Sequence, residues 1–283
     1  MARARVNEEK KNRPSLGTAL LNAPYTLWAA IFIIVPLLIV IYYTFTTRDG
    51  AFTLDNIKAL ADYKDTFITS VLYSLIATLI TLIMAYPFAF FMSRTKVSAQ
   101  KMMMMLVMLP MWMNLLIRTY SWMIILERNG IINNILSAIG LGNAKMIGTP
   151  GAVILGMVYN YLPYMILPIY TVMAKIDNSL YEAAEDLGCG TMQKLRRVVL
   201  PLSLPGVISG ITMVFVPSVS TFYISYKLGG GKIGLIGDAI ERQIQTSYNY
   251  NLGASLSLVL MVFILISLAI MNKFSGDDGG IVV

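Results

Sequence analysis

Six apolar runs dominate the chain: Ala23 to Phe45, Phe67 to Met92, Met102 to Leu126, Gly151 to Met173, Gly206 to Tyr226 and Gly253 to Met271. Each is about as long as the roughly 20 residues a helix needs to cross a bilayer. A segment in lipid must satisfy its own backbone hydrogen bonds, so the runs predict six transmembrane helices and an all-α integral membrane fold. Pro36, Pro87, Pro110, Pro163, Pro168 and Pro217 fall inside the runs; they predict kinks that can frame a cavity. The expected organisation is a basic tail over 1–22, a first span with its loop over 23–66, a core over 67–273, and a short tail over 274–283. The polar stretch 179–205 is enclosed in that core.

Charge sets the expected orientation. Lysine and arginine gather in one alternate set of loops: the tail (Arg3, Arg5, Lys10, Lys11, Arg13), then Arg94, Lys96 and Lys101, then Lys175, Lys194, Arg196 and Arg197, then Lys273. The other set carries fewer, mixed with acids, so both termini and the stretch 179–205 are expected on the cytoplasmic side. The formal charge of +7 follows from this topology, and no basic stripe with interleaved aromatics suggests nucleic acid. Histidine is absent and Cys189 is the single cysteine. Imidazole bases and internal disulfides are thereby excluded, and an enzyme is not expected.

Transport needs a source of energy, and the chain lacks the usual ones. Gly229-Gly230-Gly231-Lys232 is followed by Ile233 and is no phosphate cradle. No Asp or Glu lies within a span to relay protons or sodium, as ion-coupled carriers need. If this chain moves a solute uphill, another subunit must hydrolyse the nucleotide. Ser179 to Pro205 is the polar stretch between two apolar runs: Ser179 and Glu182 have capping-box spacing, Gly188 suits a helix C-terminus, and Pro201 is expected to close a second short helix over Met192 to Val199.

Within that elbow, Glu182-Ala183-Ala184, Gly188, Val198 and Leu200-Pro201 follow the spacing Glu-Ala-Ala, three residues, Gly, nine residues, aliphatic, any residue, Leu-Pro. The stretch resembles the EAA loop of inner-membrane permeases of binding-protein-dependent ABC importers. Further segments, Phe52 to Asn56, Ala85 to Ala89, Leu109 to Tyr120, Leu162 to Pro168 and Phe222 to Ser225, resemble the spermidine/putrescine (PotB-like) branch of that family. The resemblance implies a type I ABC importer-like fold with a coupling helix between the fourth and fifth spans. In it Glu182, Ala183, Ala184, Leu187 and Gly188 would engage an ATPase. It further implies a second homologous permease, two ATP-binding cassette ATPases that hold ATP and Mg, an extracytoplasmic polyamine-binding protein, and a bacterial inner membrane. No cofactor or metal is expected on this chain.

A polyamine path calls for aromatic faces and carboxylates. Trp112, Tyr120, Tyr159, Tyr161, Tyr164, Phe222 and Tyr223 are candidate aromatics, with packing or an interfacial belt as the alternative for each. Asp238, Glu241 and Glu127 are the candidate carboxylates. Arg118, inside the third run, would repel a polycation; it is expected to hold the bundle or a partner interface, or else to snorkel. The methionines from Met102 to Met113 read as flexible filler or as a recognition surface. The loop segments 55–65, 131–139 and 236–244 suit interfacial helices, either plain coverings or docking surfaces. An importer for another small solute, an ion-coupled carrier and a membrane scaffold are the competing functions.

Overall fold

The computed structural model describes residues 16–275; the basic residues Arg3 to Arg13 and the last eight residues lie outside the described residues. The first span is α1 (Leu16–Ala29), a π-turn (Ala30–Ile34) and α2 (Val35–Thr44). There follow α3 (Asp55–Lys58), a 3-10 turn (Ala59–Tyr63), α4 (Lys64–Arg94), α5 (Val97–Trp112), α6 (Leu115–Leu126), α7 (Ile131–Ala138) and α8 (Pro150–Met173). The remainder is α9 (Asn178–Asp186), α10 (Thr191–Lys194), a second π-turn (Leu195–Val199), α11 (Leu200–Val219), α12 (Tyr223–Leu228), α13 (Ile236–Glu241), a third π-turn (Arg242–Thr246) and α14 (Tyr250–Ser275). Five helical stretches are long and apolar enough to cross a bilayer, and α5 with α6 and α7 makes a sixth crossing when counted as one span.

That third crossing is not the continuous helix the apolar run predicts: its halves meet at 90°. Met113 and Asn114 are extended, and the Asn114 side chain accepts from the Leu116 amide at 2.7 Å, capping a new helix. An N-cap amide offers α6 a start that hydropathy alone does not register. The fifth run likewise stops early, at Val219 instead of Tyr226. The Ser218 and Ser220 hydroxyls bond back to the Val214 and Val216 carbonyls, and Pro217 weakens the same turn.

The core is the packing of α4, α8 and α11. On α4, Ser70, Ser74, Ala77, Thr78, Thr81, Ala85, Ala89 and Met92 are buried in one stripe. Such small residues let backbones approach closely where lipid removes any hydrophobic drive between helices. Gly206 and Gly210 do the same on α11. A Cβ at Gly206 would lie 2.8 Å from the Pro168 carbonyl oxygen, and one at Gly210 2.7 Å from the Met165 sulfur. From the methionine cluster, Met103 and Met104 pack against this core while Met102 and Met105 face outwards.

The first span is the least buried, with nothing buried in its most apolar window, and its second half packs along α14. Its C-terminal carbonyls are nevertheless satisfied. The Asn56 amide donates to the Thr44 and Thr46 carbonyls at 3.0 Å each, and the Asn251 amide of α14 donates to Thr46 and Tyr43 at 2.6 and 3.1 Å.

Candidate functional site

Two sites lie at opposite ends of the α8–α11 pair. At one end is the elbow. The Asp177 carboxylate accepts from the Ser179 amide at 3.0 Å and caps α9, so Ser179 lies inside the helix and the predicted Ser179–Glu182 box does not set its start. Asp177 wins because its own backbone is extended while Asn178 is already helical, and a carboxylate at the positive end of a helix suits the dipole. Those bonds to Ser179 hold the Asp177 carboxyl below its ordinary range. The C-terminus follows the expectation. Gly188 has φ +75°, its amide donates to the Glu185 carbonyl at 2.8 Å, and the Cys189 amide donates to Ala184 at 2.9 Å. That pair of bonds is a Schellman closure, which favours glycine at its left-handed position.

Pro201 does not close the second helix. From Thr191 to Val219 the chain is one 29-residue helical rod. Immediately before the proline, the Leu200 amide reaches back five residues to the Leu195 carbonyl, widening the turn. The first span repeats the arrangement: the Val35 amide reaches to Ala30, just ahead of Pro36. A widened turn makes room for a ring that has no N–H to return and would otherwise crowd the preceding carbonyls.

The elbow divides by face. Tyr181 and Ala184 are buried, whereas Glu182, Ala183 and Gly188 are exposed, Leu187 is 84% exposed and Met192 73%. Ala184, expected to engage the ATPase, instead packs inward, since it lies one turn from Tyr181 on the same face. Behind the elbow stand residues that were not singled out as functional. The Arg94 guanidinium covers the Tyr181 ring at 3.9 Å and donates to Asn178 Oδ1 at 2.8 Å. Lys194 is ion-paired with Glu185 across the bend, which keeps the Glu185 carboxyl low. Gln100 donates to the Ser93 and Thr95 carbonyls and accepts from Tyr170. Arg94 had been counted only as a topological charge.

At the other end α6, α12 and α13 meet. A cavity of about 450 Å³ is lined by Thr66, Tyr226, Lys232, Asp238, Glu241 and Arg242 among others. Ser70 of α4 anchors its floor by accepting from the Ile236 amide at 2.7 Å, and the Asp238 carboxylate accepts from the Leu235 amide at 2.7 Å. Burial pushes the Asp238 carboxyl up to about 6, against the lowering bonds from Ser225 and Leu235. The nearby Glu241 charge raises it further and Arg242 lowers it. Beside this cavity the Lys227 ammonium lies 5.5 Å from the Tyr120 ring, 5.8 Å from Tyr223 and 5.3 Å from Tyr226.

The candidate path residues are thus only partly brought together. Asp238 and Glu241 share the cavity, and Tyr120 and Tyr223 share Lys227. Tyr159 instead packs edge-on to Trp122 at 5.3 Å beside a separate apolar groove, and Tyr164 packs against Tyr161 at 6.4 Å. Trp112 ends α5, 75% exposed, and Phe222 is exposed at the start of α12. Arg118 is 7% exposed, and its Nε and Nη1 have no partner among the described residues, so it does not snorkel within this chain.

Comparison with known proteins identifies the family of the chain. The chain is 40% identical to the spermidine/putrescine transport system permease protein PotB of Haemophilus influenzae over 236 residues, 80% of this chain and 82% of that one. PotB of Escherichia coli strain K12 is 37% identical, over 80% and 86% respectively. The crystal structure of a bacterial ABC transporter that imports alginate aligns with TM-score 0.74 at 19% identity, over 96% of this chain and 98% of its own. The profile of the binding-protein-dependent transport system inner membrane component matches residues 60–275. The chain belongs to that family of multi-pass inner-membrane permease subunits.

Proposed function

We propose that this chain is one of two homologous permease subunits of an ATP-driven polyamine importer, with spermidine or putrescine as cargo. The observation that carries the cargo is the 40% identity to a spermidine/putrescine permease over most of both chains. The elbow faces the cytoplasm, as do both termini, and seats in an ATPase through Glu182, Ala183, Leu187 and Gly188; their exposure on one unpartnered surface supports that reading. Two such ATPases hold ATP and Mg, and this chain performs no chemistry. An extracytoplasmic polyamine-binding protein delivers the cargo to the cavity at Asp238 and Glu241; a solved relative, the alginate transporter, is in complex with its periplasmic protein. The carboxylate for Arg118 comes from the second permease.

During alternating access the motion of the ATPases is passed to the elbow and re-packs the helices around the path. Uptake of labelled spermidine and putrescine by the reconstituted complex, with unlabelled competitors, tests the reading. Uptake should require ATP and be lost in Glu182→Lys and Gly188→Val, with the binding protein's own affinity unchanged. Uptake that survives without ATP and collapses with the ion gradient, or competition by an unrelated solute alone, would overturn it.

A further inference from the structure

The three tyrosines around Lys227 have a chemistry the fold does not require. Their rings come from two elements, Tyr120 from α6 and Tyr223 and Tyr226 from α12, and each centroid lies within 6 Å of the same ammonium. That is the range in which a ring quadrupole attracts a cation. No carboxylate pairs with Lys227 among the described residues, where the ion pairs are Lys58 with Asp55 and Lys194 with Glu185. A lysine on a surface usually keeps its head in water or against an acid; this one is half-buried and has three aromatic rings within reach. The rings remain reachable, Tyr120 being 46% and Tyr226 59% exposed. Tyr226 is also a wall of the cavity that holds Asp238 and Glu241, so the two features adjoin.

We propose that Tyr120, Tyr223 and Tyr226 form a binding site for alkylammonium groups, of which Lys227 is the resident occupant that an incoming ammonium displaces. A lysine side chain is a four-carbon primary amine, the same chemistry as the end of a diamine, so a site that holds one accepts the other. Exchange of one cation for another on the rings also leaves the charge on those faces unchanged. The assignment of a polyamine end as the natural ligand rests on the cargo proposed above; the ammonium site itself does not.

The test uses the complete transporter complex in lipid nanodiscs and tetramethylammonium as the probe, which carries the charge but cannot react with an amine-directed reagent. The rate at which Lys227 is acylated is read by mass spectrometry, relative to the exposed Lys58, against sodium chloride at equal concentration. Tetramethylammonium should raise that ratio at least threefold. In Tyr223→Leu the ratio should start high and no longer respond. An unchanged ratio in the wild-type complex overturns the site, and so does an equal response in Tyr223→Leu. Polyamine uptake is measured separately: displacement without uptake upholds the ammonium site and removes the proposed cargo, whereas uptake without displacement does the reverse.

Discussion

The Arg94 guanidinium holds α9 by two unlike contacts, its flat face on Tyr181 and one N–H on Asn178. Together they are worth about 2 kcal/mol, enough to bias a surface helix. Arg94→Ala should therefore reduce polyamine uptake several-fold while ATP hydrolysis by the complex persists, both measured in the same vesicles. Arg94→Lys should fall between, since an ammonium keeps the charge but loses the planar stacking. Asp238 gives a second prediction at this scale. With its carboxyl raised to about 6 by burial, roughly a tenth of it is ionised at pH 5 and nine-tenths at pH 7. A polyamine keeps its charge over that range, so capture should strengthen as pH rises from 5 to 7. Asp238→Asn should flatten the profile of initial uptake rate against pH. The sequence named both Asp238 and the Glu182–Gly188 loop, because loop carboxylates and spaced motifs are visible as letters. It did not name the Tyr181–Arg94 or Tyr120–Lys227 contacts, since these partners lie 87 and 107 residues apart in the chain and a side-chain contact at that separation has no periodic signature.

At the scale of elements, hydropathy located the spans but not their breaks. The run Met102 to Leu126 reads as continuous because one asparagine barely changes a long apolar window, yet that asparagine caps α6 and turns the chain by 90°. Pro201 misled for the opposite reason. A proline reads as a stop, and the π-turn ahead of it is a backbone accommodation that no residue type marks. The close approach of α11 to α8 yields a ranked prediction. At Gly206 an added methyl meets the Pro168 backbone carbonyl, which cannot move without displacing α8; at Gly210 it first meets the end of the Met165 side chain, which can rotate. Gly206→Ala should cost about 1–3 kcal/mol and Gly210→Ala less. The order is to be read as loss of heat resistance of the detergent-solubilised complex, and equal losses would contradict the packing argument.

Across the whole molecule the two candidate sites are joined by a single rod. It leaves the elbow at Thr191 and ends at Val219, just ahead of Phe222 and the tyrosines of α12, and at 1.5 Å per residue its 29 residues extend about 43 Å. Gly206 and Gly210 seat the middle of the rod against α8, so displacement at one end is carried along a packed axis to the other. Near its elbow end the rod contains the π-turn Leu195–Val199, whose Arg196 and Arg197 are exposed and outside the tight core. Changing both to glycine lowers helix propensity there by about 2 kcal/mol in total and leaves the α4–α8–α11 packing intact. The double variant should assemble, hydrolyse ATP and melt within a few degrees of the parent, yet import polyamine at well under half the parental rate. A fully active double variant would mean that force reaches the cavity by another route, and the Arg94 tether from α9 to α4 would then be the element to test.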